Sequence, residues 1–437
     1  MITCCVKWLF ARRCEAVVNR RRPVGLPAPC RRAARGVRPV VLAAALLGLC
    51  LDALGRERFA GPWNLAALRA APAAEWGRRS NLVQEVYYAG EPFHGQPTRV
   101  FAYLGRPATG AGPFPAMLLV HGGGGKAFAA WAEHWAQRGY VALAMDTAGH
   151  GPNGRLPDGG PEQDDEAKFR EFRPEESREM WTYHAVAAVL RGHSLLATMP
   201  EVDRNRIGVT GISWGGYLTC IVAGLDDRLK VAVPVYGCGF LDHNSVWLEP
   251  RFARMTAEQR RRWVEHFDPS RYLPGVRCPI LFLNGSNDFA YPLDSYQLSY
   301  QLVRGPMTLS VKIDLPHGHI WTFGEVDTFV DSVLKHEPPL PALKPMRVAA
   351  GMARAAFASV VPIVKGEFHY TTDTGPWQKR VWKTVPAELA KGRVQAVVPL
   401  ARPLVCFLAV TDARGLAVST PHVQLGEKEQ TRWLKKR

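Results

Sequence analysis

The chain has 437 residues, 47% of them hydrophobic, and a formal net charge of +16 at pH 7. That apolar content fills a core, which excludes a disordered polymer, and the length predicts two domains rather than one small one. The charge does not argue for nucleic acid: residues 1–39 hold ten Lys and Arg against only Glu15, so nine of the sixteen charges lie outside the expected fold, and no aromatics interleave with them as a stacking surface.

More basic charge closes the chain, at Lys428, Arg432, Lys435, Lys436 and Arg437. Of the cysteines, Cys4, Cys5, Cys14, Cys30 and Cys50 precede residue 55. Only Cys220, Cys238, Cys278 and Cys406 fall in the expected fold, at spacings that fit neither a zinc site nor a disulfide framework. They are expected as buried thiols, with a Cys220–Cys238 bridge as the alternative.

In chain order, the first feature is VVLAAALLGLCL, residues 40–51, behind the arginine-rich segment. It is shorter than the roughly 20 residues of a membrane span and reads as the apolar core of an export signal, with Ala53-Leu54-Gly55 as cleavage site. Arg31-Arg32 matches a twin-arginine signal poorly, and Leu47-Gly48-Leu49-Cys50 is a weak lipobox because Leu49 is large. The expected location is periplasmic or extracellular. An uncleaved segment is the alternative, and the one route to a membrane.

Strand patterns begin at Val83–Ala89 and Thr98–Leu104, an expected antiparallel pair. Strand and helix then alternate: 116–120 and 141–145 read as buried strands, with a helix at 127–138 between them. Residues 147–175 form a long polar loop, of the kind that rims an active site. A helix over 177–199 carries a core-facing stripe of Trp181, Ala185, Ala188, Leu195 and Met199. Strands at 206–210, 231–235, 280–283 and 309–313 follow, with an aromatic- and arginine-rich insertion at 240–275 and a helix at 326–334. Repeated βα units of this kind predict an α/β fold, a mostly parallel sheet with helices on both faces, over residues 56–337. Glu337-Pro338-Pro339-Leu340-Pro341 reads as a linker. Beyond it, short strands at 366–372, 393–399, 403–410 and 416–420 predict a small β-sandwich over 342–426, with Trp377 and Trp382 to fill its core. Residues 1–55 are the leader and 427–437 a basic tail.

The chemistry is concentrated in Gly211-Ile212-Ser213-Trp214-Gly215-Gly216, between an apolar strand and an apolar helix. G-x-S-x-G there is the pattern of a nucleophile elbow, in which glycines let strand and helix approach around a serine on a tight turn. A serine hydroxyl needs a base and an acid that orients the base. Asp288, after the strand at 280–283, stands where that acid belongs; its competing reading is an ordinary turn-forming aspartate, Asp294 is the next candidate, and Asp314 is expected within the following strand. The base falls in Pro316-His317-Gly318-His319. His319 lies farther past the strand and is preferred for its reach, with His317 as the alternative base or a pocket residue. H-x-H gives a metal only two ligands, and no carboxylate motif completes a site. His121-Gly122-Gly123-Gly124-Gly125 brings backbone N–H groups close to a developing oxyanion, with the N–H of Trp214 as second donor. It lacks the spacing of a phosphate loop, since Lys126 is not followed by Ser or Thr.

In this order, HGGGG, Asp146-Thr147-Ala148-Gly149-His150-Gly151, GISWGG, the Asp288 turn and HGH resemble an α/β-hydrolase over roughly residues 80–337. Within that fold the chain is similar to acetylxylan esterases and to dienelactone-hydrolase-like and prolyl-oligopeptidase-like hydrolases. The resemblance implies a Ser213–Asp288–His319 triad with an oxyanion hole from Gly123 and Trp214, and no metal or organic cofactor. The chain departs from dienelactone hydrolases proper, which use cysteine at the Ser213 position, and from prolyl oligopeptidases, whose propeller is missing.

The expected activity is therefore hydrolysis of a small ester, an acylated carbohydrate being the favoured substrate. A peptidase of the prolyl-oligopeptidase-like group shares every motif and stays open. A catalytically silent binding or adhesion protein, using the sandwich to hold a glycan, is the alternative of another class. Oligomeric state is not legible.

Overall fold

The computed structural model of the protein describes residues 59–321 and 323–426. The expected leader and basic tail lie outside the described residues. The framework is a nine-stranded sheet built from β1 (Ala74–Ser80), β2 (Val83–Ala89), β3 (Arg99–Gly105), β4 (Phe114–Val120), β5 (Val141–Met145), β6 (Val202–Ile212), β7 (Val231–Val235), β8 (Ile280–Gly285) and β9 (Met307–Lys312). Their spatial order is β1-β2-β3-β5-β4-β6-β7-β8-β9. The β1-β2-β3-β5 pairings are antiparallel, and every pairing from β5 to β9 is parallel. β1 is a strand that the sequence did not announce. It is mostly exposed and carries Glu75, Arg78 and Arg79, so it lacks the apolar alternation by which a strand is recognised.

Alternation along β4 divides the core. Ala116, Leu118 and Val120 point into one apolar layer and Met117 and Leu119 into the other, as the period of two in a strand requires. The longer helices among the described residues are α1 (Ala129–Gln137), α2 (Trp181–Leu196), α3 (Trp214–Leu225), α4 (Ala257–Phe267), α5 (Leu293–Tyr300) and α6 (Gly324–Leu334). Residues of α2 and α3 fill the first layer, and residues of α1 and α6 the second. A strand covered on both faces reads as an unbroken apolar run, and β4, β5, β7 and β8 do.

Two elements are shaped differently from the expectation. The helix expected over 177–199 is a 3₁₀ turn, Pro174–Glu179, followed by α2. α2 is buried on nearly every side rather than along one stripe, because residues 59–68 cover it: Trp63 Nε1 donates to Tyr183 O at 3.0 Å and Ser194 Oγ to Leu68 O at 2.9 Å. The polar loop after β5 holds local structure, a hairpin of His150–Gly151 with Gly154–Arg155 and a short helix, Asp165–Phe169, capped by the Asp164 carboxylate.

Beyond α6 lie two five-stranded antiparallel sheets, running from Ala342–Leu343 to Val423–Leu425. Ala353, Ala355, Val394 and Ala396 of one meet Phe368, Leu408 and Val410 of the other in a core that also includes Val233, Leu281, Val326 and Val330 of the catalytic layers. Trp377 does not fill that sandwich core. It joins Tyr291 and Tyr296 in the opposite layer, with Trp382 packed against the same cluster. Polar contacts reinforce the junction: Val311 N donates to Ser419 Oγ at 2.9 Å, and Arg414 binds the carbonyls of Pro338 and Pro339, both at 2.8 Å. The proline-rich segment is pinned and Leu340 is buried. Cys220, Cys238, Cys278 and Cys406 are buried and free, so the alternative Cys220–Cys238 bridge is not formed.

Candidate active site

Ser213 occupies the junction of β6 and α3 with φ 58° and ψ −119°, outside the backbone wells an L-residue prefers. Its N–H donates to Val235 O at 3.0 Å, and its C=O starts α3 by accepting from Tyr217 N at 2.9 Å. The flanking glycines have steric reasons. A Cβ on Gly211 would stand 2.3 Å from Gly215 O, and one on Gly215 would stand 2.1 Å from Val120 O. Any side chain at either position forces strand and helix apart.

His317, not His319, reaches the serine. His317 Nε2 lies 2.8 Å from Ser213 Oγ and its Nδ1 lies 2.7 Å from Asp288 Oδ2. Nδ1–H donating to the carboxylate leaves Nε2 as acceptor of the serine O–H, the tautomer that makes the ring a base. The preference for His319 fails on loop geometry. β9 ends at Lys312 and the chain turns at once through Asp314, at φ 50°, so the first histidine already arrives at the elbow. His319 lies beside the glycine loop, where its Nε2 accepts from Gly122 N at 3.0 Å and its ring packs on Phe128 with centroids 5.3 Å apart. Only a neutral ring can accept there, and burial lowers the His319 pKa in the sense that keeps it neutral.

Asp288 reconciles its two readings. Oδ1 accepts from Ala290 N at 2.9 Å and Tyr291 N at 2.7 Å, closing a turn of aspartate type, while Oδ2 faces His317. The carboxylate is 3% exposed. Among the described residues Asp294 and Asp314 bond no histidine: Asp294 accepts from Asn244 Nδ2 at 2.8 Å, and Asp314 N donates to Ser286 Oγ at 3.1 Å.

The glycine loop follows β4 directly. His121 anchors it from beneath, fully buried, with Nδ1 donating to Gly122 O at 2.7 Å and Nε2 accepting from Thr147 N at 2.9 Å. Asp146 Oδ2 is 3.7 Å from that Nε2. This is not an ion pair, because burial pushes the imidazole pKa down and both ring nitrogens are already used as a neutral ring uses them. Gly123 and Gly124 are exposed at the loop tip. A Cβ on Gly123 would come within 2.9 Å of Trp214 Cδ1, so the loop passes directly over the elbow. The N–H of Trp214 opens α3, where a helix has no acceptor of its own to offer. Neither that amide nor the Gly123 N–H has a protein acceptor among the described residues.

Side chains that the sequence did not place at the site complete the surroundings. The Tyr236 ring packs on His317 at 4.3 Å, and its hydroxyl donates to Gly318 O at 2.5 Å. Phe289, 54% exposed, meets the same imidazole at 4.7 Å. Trp214 is boxed in by Trp247 at 4.5 Å, Trp181 at 5.5 Å and Phe169 at 5.9 Å, with Lys168 Nζ 5.0 Å from its ring centroid. Burial lowers the Lys168 pKa, opposed by Asp165 at 3.4 Å. The polar loop at 147–175 and the insertion at 240–275 thus each bring an aromatic side chain, Phe169 and Trp247, against Trp214. Their aromatic content was the available signal. Among the described residues no group of three or more His, Cys, Asp or Glu side chains can hold a metal ion, and no helix is long and apolar enough to cross a membrane.

Residues 75–255 match the family model described as acetyl xylan esterase (AXE1). Acetyl esterase Axe7A of Xylanibacter ruminicola is 25% identical over 251 residues, which is 52% of this chain and 54% of that protein. The chain spans about half the length of the curated relatives it matches. Among solved structures, an acetyl xylan esterase from Paenibacillus sp. R4 superposes with a TM-score of 0.53 at 21% identity, covering 62% of this chain and 92% of that one. Acetyl xylan esterase 1 from Thermoanaerobacterium sp. JW/SL YS485 gives 0.50 at 19%, covering 62% and 94%. At such identities the structural likeness is one of fold. The fold is that of the α/β-hydrolases with a strand-rich C-terminal addition, and in sequence the chain is similar to acetyl xylan esterases.

Proposed function

We propose that the protein is a serine hydrolase of carboxylic esters that removes acetyl groups from carbohydrate. The observation that carries this reading is the continuous chain from Ser213 Oγ through His317 to Asp288 Oδ2, with links of 2.8 and 2.7 Å. Ser213 attacks the ester carbonyl while His317 Nε2 takes its proton, and Asp288 holds Nδ1–H and stabilises the imidazolium that forms. The negative oxygen of the tetrahedral intermediate accepts from the N–H groups of Gly123 and Trp214. Collapse returns the proton from His317 to the departing alcohol, and water then releases acetate by the same steps in reverse order. His319 serves the glycine loop rather than the proton.

The acetyl and carbohydrate parts of the proposal rest on the family model over residues 75–255 and on the relative named as an acetyl esterase. Exposed Phe289 beside His317 supplies an apolar face on the base's side of the site, where the alcohol departs. Export is part of the proposal too, and rests on the apolar run at 40–51 behind the arginines.

The test compares acetylated xylan, p-nitrophenyl acetate and dipeptide amides with the wild type and Ser213→Ala. Acetate release, lost together with fluorophosphonate labelling in Ser213→Ala, is the expected result. Turnover that survives Ser213→Ala sinks the triad, and cleavage of amides in preference to esters sinks the esterase.

A further inference from the structure

The acid-bearing turn is held from outside the catalytic layers. Its own sequence secures one side: Asn284 Nδ2 donates to Tyr291 O at 2.9 Å, and Ser286 N to Lys312 O at 2.8 Å. Asn287, immediately before Asp288, points the other way. Its Oδ1 accepts from Ser286 Oγ at 2.7 Å, and its Nδ2 spends both hydrogens on the strand-rich C-terminal region, on Arg380 O at 2.7 Å and Gln378 O at 3.2 Å. Those carbonyls belong to the 3₁₀ turn Trp377–Lys379 and its cap. That turn is fixed in its own right. The Trp377 ring is buried in the core that includes Tyr291 and Tyr296, the Arg380 guanidinium lies over it at 3.7 Å, and Val381 N donates to Asp373 Oδ2 at 2.7 Å.

We infer that Asn287 is a positioning residue for the proposed hydrolysis, and that the C-terminal β region works through it to hold Asp288 against His317. The inference rests on the proposed triad. The physical argument is one of reach. Asp288 Oδ2 is 2.7 Å from His317 Nδ1, and a displacement of about 1 Å in a catalytic array costs up to about a hundredfold in rate. Asn287 is the neighbouring residue, so anything that fixes its side chain on both ends fixes the backbone that carries the acid. Two donated bonds and one accepted bond use the amide almost fully, and nothing in that arrangement touches substrate. The effect therefore falls on kcat, not on KM. The titratable groups described against His317 are Asp288, Tyr236, Tyr291 and His319. Of these, only Asp288 sets a carboxylate against Nδ1, so loosening its turn withdraws support from the imidazolium that forms during the reaction.

The experiment uses the full chain with p-nitrophenyl acetate and compares Asn287→Ala, Asn287→Asp and Arg380→Ala with Ser213→Ala. Asn287→Asp keeps the size but sets a carboxylate against two carbonyls. Both Asn287 variants are expected to lose tenfold to a hundredfold in kcat with KM within twofold. Exhaustive fluorophosphonate labelling still counts close to one reactive serine per chain, so the loss is in rate per site, and Arg380→Ala loses less. A merely structural defect lowers the labelled fraction in step with the rate, so wild-type turnover per labelled site in folded variants overturns the inference. If the Asn287 variants are insoluble, Arg380→Ala decides. Ser213→Ala separates the two failures: turnover retained there refutes the triad, whereas turnover lost there with unchanged Asn287 kinetics refutes only the positioning role.

Discussion

His317 and His319 are one glycine apart and hold different partners: His317 Nε2 meets Ser213 Oγ at 2.8 Å, while His319 Nε2 takes the Gly122 N–H at 3.0 Å. One ring is placed to move a proton and the other to hold the loop that passes over the elbow. His317→Ala is expected to lower kcat on p-nitrophenyl acetate by about 10⁶-fold, as loss of a triad base does. His319→Ala removes one acceptor from the loop and is expected to cost about tenfold, an order of magnitude set by the worth of a single hydrogen bond. Steady-state kinetics of the two variants check this, and the reverse ranking would return the proton to His319.

The glycines of this region divide into two kinds, and substitution separates them. Gly215→Ala drives a methyl group to within 2.1 Å of a main-chain oxygen in the adjoining strand. It is expected to cost about 3 kcal/mol or more and to abolish activity, since backbone cannot give way as a flexible side chain can. Gly124→Ala meets nothing within 4 Å and is strained only by its φ of +66°, which costs about 1 kcal/mol. Urea denaturation of both variants measures the contrast.

A buried ion cluster behind α2 is a site of stability rather than chemistry. Asp226 accepts from His193 Nδ1 at 2.8 Å and is bound twice by Arg228, at 2.8 and 2.7 Å. Burial raises the Asp226 pKa, but those bonds outweigh it and hold the carboxylate well below its ordinary value. Asp226→Ala leaves a buried imidazole and a guanidinium without their partner, for an expected loss of about 3 to 5 kcal/mol. Asp226 caps the C-terminal end of α3, opposite the end that carries Ser213, so kcat of the folded fraction is expected to stay near wild type. Urea melts paired with kinetics test both halves.

Acid sensitivity follows from histidines outside the active site. Burial holds His184, His369 and His422 at about 4, against 6.5 for a free imidazole. A folded-state pKa below the unfolded one means the unfolded chain binds more protons between those values. The stabilisation is therefore whole above pH 6.5 and is lost as pH falls toward 4, by about 2 to 3 kcal/mol for each histidine. Urea midpoints at pH 7.5, 6 and 5 should decline in that order. The triple variant His184→Gln, His369→Gln, His422→Gln should flatten the decline, and an unchanged slope rules this account out.

Which parts of the molecule were readable from sequence depends on how local their cause is. The elbow was legible because Gly211 and Gly215 answer to a clash within a few residues, and β4, β5 and β8 because double-sided burial leaves an unbroken apolar run. Asp288 was legible for the same reason, since its turn and its carboxylate facing His317 belong to one short segment. The choice between His317 and His319 was not, because it turns on the φ of Asp314 and on a glycine loop almost two hundred residues upstream. Trp377 and Trp382 were assigned to the wrong layer on similar grounds. An aromatic residue announces that it will be buried, but which of two faces receives it is decided by packing. The role of Asn287 was hidden altogether, since its partners are main-chain carbonyls and any sequence supplies those.

The shared apolar layer that joins Val233 and Val326 to Phe368 and Leu408 also bears on how the protein comes apart. Neither half owns a closed interior: cutting the chain near Pro341 would strip α6 and β9 of their cover and leave the two C-terminal sheets with one face bare. The two halves are therefore expected to lose structure together on melting, and a fragment that ends near Pro341 is expected not to fold on its own.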